Sequence, residues 1–390
     1  MSKRKKIAAI ITEYRVPAHA DVIVGKFIKG FPTDAGLLEP QVDIVSMYLD
    51  QIPTNDIGVQ VSKEYDIPIF PSISSALCLD TNELAVDGVL SIGEHGSYAH
   101  NEKEQHLYPR RFFFEQIAGV IASAGRAVPV FSDKHLAYNW RDAKWMYERA
   151  RTLNIPFMAG SSVPLFWRNP WLEHGLDAPI EDALMLSFGG IEAYGYHGLE
   201  TLQCMVERRQ GGEKGLAAVQ CIEGDEVWQA GDKGIWSREL ADAAIKIGGL
   251  EGTMEERCEK PVAFLLEYLD GFRATLLQLN GFTHDWIYAA RITDEIVGTA
   301  FNAFGPPYPS FSYLGLNIQE MFLTGKPQYP VERTLLVTGG LDALMDSRYR
   351  GHLRMETPQL DVAYRPYTFD PIRPTSPQAS GASTIPFEKI

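Results

Sequence analysis

From Lys6 to Ser161, short apolar runs alternate with stretches of helical spacing, and this alternation leaves few folds open. Lys6–Thr12, Val42–Tyr48, Ile67–Pro71, Val86–Gly93, Ala127–Asp133 and Ile155–Ser161 read as buried strands, the third weaker than the rest. Arg111–Ala124 places Phe113, Ile117, Val120 and Ile121 on one helix face. Trp140–Leu153 does the same with Ala143, Met146, Tyr147 and Ala150. Strands of this kind separated by helices predict a parallel sheet covered on both faces, a Rossmann-like doubly wound α/β domain over residues 1–160.

Beyond Arg168 the texture changes. Ala263–Tyr268 and Ala274–Asn280 alternate in polarity and flank Asp270-Gly271, a strong hairpin signal. Ala217–Ile222 and Trp286–Ile292 read as further strands, Leu199–Arg209 and Thr334–Arg348 as helices. Residues 161–370 are therefore expected to form an α+β domain on an open antiparallel sheet, which the resemblance described below makes the substrate and oligomerisation domain. Residues 371–390, rich in Pro, Ser and Thr, read as an extended or disordered tail.

Charge and cysteine usage narrow the function classes. With 36 Lys and Arg against 50 Asp and Glu the net charge is -14, and no basic stripe offsets it, so nucleic acid is not expected as a partner. Lys3-Arg4-Lys5-Lys6 reads as a solvated lead-in to the first strand. Cys78, Cys204, Cys221 and Cys258 lie far apart without a C-x-x-C pair, which predicts free thiols in a reducing compartment. The apolar run Ile7–Ile11 is too short for a signal-peptide core, and no run has membrane-spanning length. A soluble, cytoplasmic chain is the expectation.

Candidate site residues cluster where strands of the first half end, the edge at which ligands bind in parallel sheets. Lys134 ends a central strand and is placed to hydrogen-bond a substrate oxygen. His197 opens a helical stretch after Gly189-Gly190 and Gly195, with an imidazole suited to proton transfer near neutrality. Glu94 and His95 follow the fourth strand in a long polar loop. With Glu102, His106, Asp133 and His135 they supply enough donors for a divalent metal, without any tight ligand spacing. Asp50 stands where Rossmann proteins keep a ribose-binding acid. Arg110 and Arg111 could clamp an anionic substrate but read better as the start of a helix pairing with Glu115; Trp228, Trp236 and Tyr194 could stack on a sugar face, although aromatics of this kind are more often core.

Two stretches carry a resemblance. Val128-Pro-Val-Phe-Ser-Asp-Lys134, the helix after it, Pro156-Phe-Met-Ala-Gly160 and Arg168 resemble the glucose–fructose oxidoreductase/inositol dehydrogenase (Gfo/Idh/MocA) family, in which a strand ends in Glu-Lys-Pro. Gly189-Gly190 through Gly195-Tyr-His197-Gly-Leu-Glu200 is similar to that family's Asp-x-Gly-x-His segment, and Tyr329–Ser347 to its closing helix. The resemblance implies an oxidoreductase acting on a sugar, polyol or keto-sugar with NAD or NADP. In it Lys134 positions the reacting oxygen and His197 moves its proton. Glu94, His95, Asp133, His135, Arg168 and Tyr194 are the candidates to surround the substrate, and the resemblance implies a homo-oligomer formed through the second domain's sheet.

The departures are specific. Thr12-Glu13-Tyr14-Arg15-Val16-Pro17-Ala18-His19 stands where the family has G-x-G-x-x-G, and no glycine precedes Gly25. Side chains there block close approach of backbone to a diphosphate, and the Glu13 carboxylate repels one. A bound dinucleotide would have to meet Thr12, Glu13, Arg15 and Asp50. The expectation is weak or absent NAD(P) binding, with Tyr14 and His19 filling the phosphate pocket or the pocket offered to a smaller anion, and Pro17 at the first helical position. Asp133, His135 and Ala193 replace the Glu and Pro of Glu-Lys-Pro and the Asp of Asp-x-Gly-x-His. The alternative functions are a nicotinamide-independent lyase, hydratase or hydrolase in the same cleft, with a divalent metal as its cofactor, and a carbohydrate-binding protein without turnover.

Overall fold

A computed structural model describes residues 4–376 and 379. Five parallel strands form the first sheet in the order Val42–Leu49, Lys5–Ile11, Gly88–Ile92, Val130–Asp133, Phe157–Gly160. The expected strand at Ile67–Pro71 is reduced to one parallel bridge between Ile69 and Met47. The period-2 geometry of a strand sends Ile7, Ala9 and Ile11 to one face and Ala8 and Ile10 to the other. Helices Ile73–Cys78, Arg110–Ala124 and Trp140–Thr152 cover the second face. Helix His19–Lys29 covers the first, together with Ser310–Thr324, a helix from the second half of the chain that buries Leu314, Ile318 and Met321 there.

The second sheet has eight strands in the order Met355–Glu356, Leu216–Glu223, Val262–Tyr268, Arg273–Gln278, Ile180–Ser187, Trp286–Ile292, Glu295–Asn302, Trp167–Asn169. Its pairs are antiparallel except Arg273–Gln278 against Ile180–Ser187. The Asp270-Gly271 turn joins two of these strands as the sequence predicted, with Gly271 at φ 85°. Helices Ala193–Val206 and Val331–Tyr349 pack on the face that carries Ala183 and Met185.

The opposite face carries Leu184, Leu186, Ile287 and Ala289, and it is covered by the chain's own helices Asp225–Asp232 and Arg238–Gly248 through Val227, Leu240, Ala241 and Ala244. Ser237 caps the longer helix by accepting from the Leu240 amide.

Three further expectations meet the structure at the termini and the first turn. The helix after the first strand starts at His19, with Pro17 in the preceding turn, so Pro17 does not open the helix. In the tail, Ile372 exchanges hydrogen bonds with Asn317, which anchors the chain there, and residues 371–376 form neither helix nor strand. The rest of the tail, except residue 379, lies outside the described residues. No helix among the described residues is long and apolar enough to cross a membrane.

Candidate active site at the junction of the two domains

Strand ends set the site. Gly88–Ile92 and Val130–Asp133 are neighbours, and their carboxyl ends deliver Glu94 and Lys134 side by side. His95 and Lys134 both hold left-handed backbone, φ 70° and 65°, which costs a residue with a Cβ about 1 kcal/mol or more and persists where surroundings enforce it. The Lys134 ammonium stands 3.2 Å from Glu94 Oε1 and donates to the Ala193 carbonyl at 3.4 Å. Ala193 begins the helix that carries His197, so this contact ties the two domains together.

Glu94 is the hub. Its other oxygen accepts from the Arg110 guanidinium, and both partners are almost fully buried. Burial opposes its ionisation, but Lys134 and Arg110 outweigh that and hold its carboxyl well below the usual carboxylate range. Arg110 also lies 2.9 Å from His135 Nε2, and Glu192 stands 3.6 Å from the same nitrogen. Burial, followed by the Arg110 charge, lowers the pKa of His135.

Four imidazoles share this junction: His19, His95, His135 and His197. His19 Nδ1 lies 2.6 Å from Oδ2 of Asp133, a carboxylate with no solvent exposure, and its ring meets His95 edge-on at 5.2 Å. Burial takes His95 down to about 4 and holds His197 well below its ordinary value, so both are neutral at pH 7. His197 is packed edge-on against Trp286, whose ring stacks at 6.0 Å and 10° on the exposed Tyr194. Asp133 Oδ1, His197 Nδ1, Gln278 Oε1 and Trp286 Nε1 are buried without a hydrogen-bond partner among the described residues. Each such atom costs about 1–3 kcal/mol if left unmet.

The predicted residues therefore divide. Glu94, His95, Asp133, Lys134, His135, Tyr194 and His197 come together. Arg168 does not: it sits in the edge strand Trp167–Asn169, ion-paired with Glu173 and lying over the Phe301 ring. Arg111 pairs with Glu115 at 2.7 Å as expected, whereas its neighbour Arg110 turns inward and joins the site. Trp236 is core, its indole donating to the Val227 carbonyl. Among the described residues no three His, Cys, Asp or Glu side chains are grouped to hold a metal ion.

The groove where a Rossmann sheet would hold a dinucleotide is also built from side chains. Both Asp50 oxygens are taken, one by the Tyr48 hydroxyl at 2.8 Å and one by the Tyr98 hydroxyl at 2.6 Å. Gln51 exchanges two hydrogen bonds with Ser97, so the loop after Gly88–Ile92 is stitched across the ends of the first two strands. Thr12 Oγ1 donates to the Glu94 carbonyl at 2.7 Å, and Glu13, itself buried, pairs with Arg15 at 2.5 Å. Tyr14 is buried in the core beneath the first helix, while His19 turns to Asp133 instead of filling the turn. The carboxylate that would take ribose hydroxyls is used, and a buried carboxylate lies beside the diphosphate position. These residues do not fit a dinucleotide.

The fold defines the class: a two-domain protein of dehydrogenase architecture, with a buried polar cluster between a Rossmann-like sheet and an antiparallel-rich sheet. Solved structures place it further. GenD2 from gentamicin A biosynthesis, in complex with NAD, superposes with a TM-score of 0.57 at 14% identity, covering 91% of this chain and 97% of that one. Scyllo-inositol dehydrogenase from Lactobacillus casei, with NAD(H) and scyllo-inositol, gives 0.57 at 12% identity, covering 91% and 99%. Myo-inositol 2-dehydrogenase from Lactobacillus plantarum gives 0.56 at 12%, with the same coverage. The fold is thus that of the Gfo/Idh/MocA-type oxidoreductases. No family model and no curated protein matches the sequence.

Proposed function

We propose that this chain is an enzyme acting on a carbohydrate-like small molecule, a keto-sugar or oxidised polyol, by proton transfer in the cleft between its domains. The observation that carries the reading is the joint arrangement of Lys134 on Glu94 and of neutral His197 beside Trp286 and Tyr194. In a substrate with a carbonyl next to a hydroxyl-bearing carbon, loss of the carbon-bound proton turns the C–H electron pair into a C=C bond. The carbonyl π pair then moves onto oxygen, where the Lys134 ammonium meets the developing charge. His197, uncharged, accepts the hydroxyl proton and returns it to the neighbouring oxygen. Tyr194 and Trp286 offer the sugar a flat aromatic wall, with the Trp286 and Gln278 polar atoms reaching for its hydroxyls.

A second reading keeps hydride transfer. It is favoured by the fold, because the similar structures are sugar and polyol dehydrogenases, some crystallised with NAD(H). The capture of Asp50 by two tyrosines and the carboxylate-bearing first turn favour the first reading for this chain. Proton NMR of keto-sugars and inososes incubated with the full chain in D2O, without nicotinamide, tests it. The expected result is enzyme-dependent deuterium incorporation at the carbon next to the carbonyl of at least one compound. Reduction of NAD+ by a polyol, with no such exchange, would establish the second reading instead.

A further inference from the structure

Enolisation needs a base for the carbon-bound proton, and neither Lys134, committed to Glu94, nor His197, placed on the oxygens, supplies one. Of the four imidazoles at the junction, only His19 has a carboxylate within hydrogen-bonding distance, Asp133 Oδ2 at 2.6 Å. Glu192 stays 3.6 Å from His135, whose Nε2 already faces Arg110. Asp133 has no solvent exposure and sits at the end of the strand that delivers Lys134, while His19 keeps 13% of its side chain exposed. With Nδ1 held by Asp133, the proton of neutral His19 belongs on Nδ1, and Nε2 is left as the acceptor. Nε2 makes no hydrogen bond to any described residue. The ring meets His95 edge-on at 5.2 Å and Phe311 at 5.5 Å, which places it within the same cluster.

We infer that His19, oriented by Asp133, is the base that removes the carbon-bound proton, making this a two-imidazole enzyme of the isomerase or epimerase class. The helix that would carry a diphosphate at its N-terminus thereby contributes a proton acceptor from the first domain, while His197 belongs to the second. The proton leaves carbon for His19 Nε2 and the electron pair enters the enediolate; the same proton or one from solvent then returns to the adjacent carbon in isomerisation, or to the other face of the same carbon in epimerisation. No oxidant is consumed. Asp133 acts as a positioning residue, fixing the tautomer and steadying the imidazolium. The inference rests on the proton-transfer reading of the cleft.

Two measurements on the full chain separate the inference from that reading. Nitrogen-15 NMR of labelled histidine at neutral pH is expected to show one imidazole carrying its proton on Nδ1, assigned by its loss in His19→Gln and changed in Asp133→Asn. In the D2O assay, His19→Gln is expected to lose deuterium incorporation at carbon by about a hundredfold or more and Asp133→Asn by at least about tenfold, with thermal melts near wild type. A His19 protonated on Nε2, or exchange at the wild-type rate in His19→Gln, would overturn the inference. Absence of exchange by wild type on every compound, with the Nδ1 signature present, would sink the proton-transfer reading while leaving the dyad itself established.

Discussion

Replacing Glu94 by Gln should be the most damaging single change in the cleft, for a reason the geometry makes quantitative. The side chain is almost fully buried, and its two oxygens meet Arg110 and Lys134, which are themselves almost fully buried. A buried charge stripped of its counter-charge costs about 3–5 kcal/mol, and here one substitution strips two cations at once, although His135 and Ala193 still touch them. The expected loss is therefore at least about 3 kcal/mol in urea unfolding at pH 7. Glu115→Gln is the control: it breaks the exposed Arg111–Glu115 pair and should cost less than about 1 kcal/mol. The pH dependence has a definite sign. The folded pKa of Glu94 is depressed, so its stabilisation is present above the unfolded value near 4.5 and is lost as pH falls through the folded value. The gap between wild type and Glu94→Gln should accordingly narrow only in acid. A Glu94→Gln penalty no larger than that of Glu115→Gln at pH 7 would refute the hub assignment.

Glu200, buried with its carboxylate accepting from the Ser161 amide and hydroxyl, is pushed by burial up to about 7. A raised carboxyl pKa stabilises below the unfolded value near 4.5 and loses that contribution as pH rises through 7, so Glu200→Gln should gain on wild type by up to about 3 kcal/mol between pH 5 and pH 8 in urea titrations. Leu240→Ala, in the helix that covers the second sheet's outer face, should cost about 2–5 kcal/mol by the same measurement. Tyr194→Ala should raise KM for an exchanging sugar about fivefold to tenfold with little change in kcat, as expected for about 1 kcal/mol of stacking lost from an exposed wall residue.

What could be read ahead of the structure follows from the range of the interactions involved. Strand periodicity, the Asp270-Gly271 turn and the position of Lys134 at a strand end depend on local sequence, and they were legible. The covering helix Arg238–Gly248 also has a local signature, the Ser237 cap and the Leu240–Ala244 spacing, which was there to be found. Other features are not local. Which of Arg110 and Arg111 turns inward depends on Glu94, and the His19–Asp133 contact joins residues 114 positions apart. Arg168 looked like a cleft residue because it follows the last parallel strand; its strand instead joins the far edge of the second sheet, where Glu173 neutralises it. The fate of Asp50 turned on Tyr98, in a loop whose path no periodicity fixes.

The central claim is that this dehydrogenase fold works its cleft without a resident dinucleotide, because side chains hold the groove. Calorimetric titration of the full chain with NAD+ and NADP+, backed by nicotinamide fluorescence with the reduced forms, tests it most directly. The account predicts no saturable binding at micromolar concentrations of either cofactor, since Asp50 is satisfied by Tyr48 and Tyr98 and Glu13 stands where a diphosphate would lie. Binding at micromolar Kd would contradict it and return the cleft to hydride chemistry.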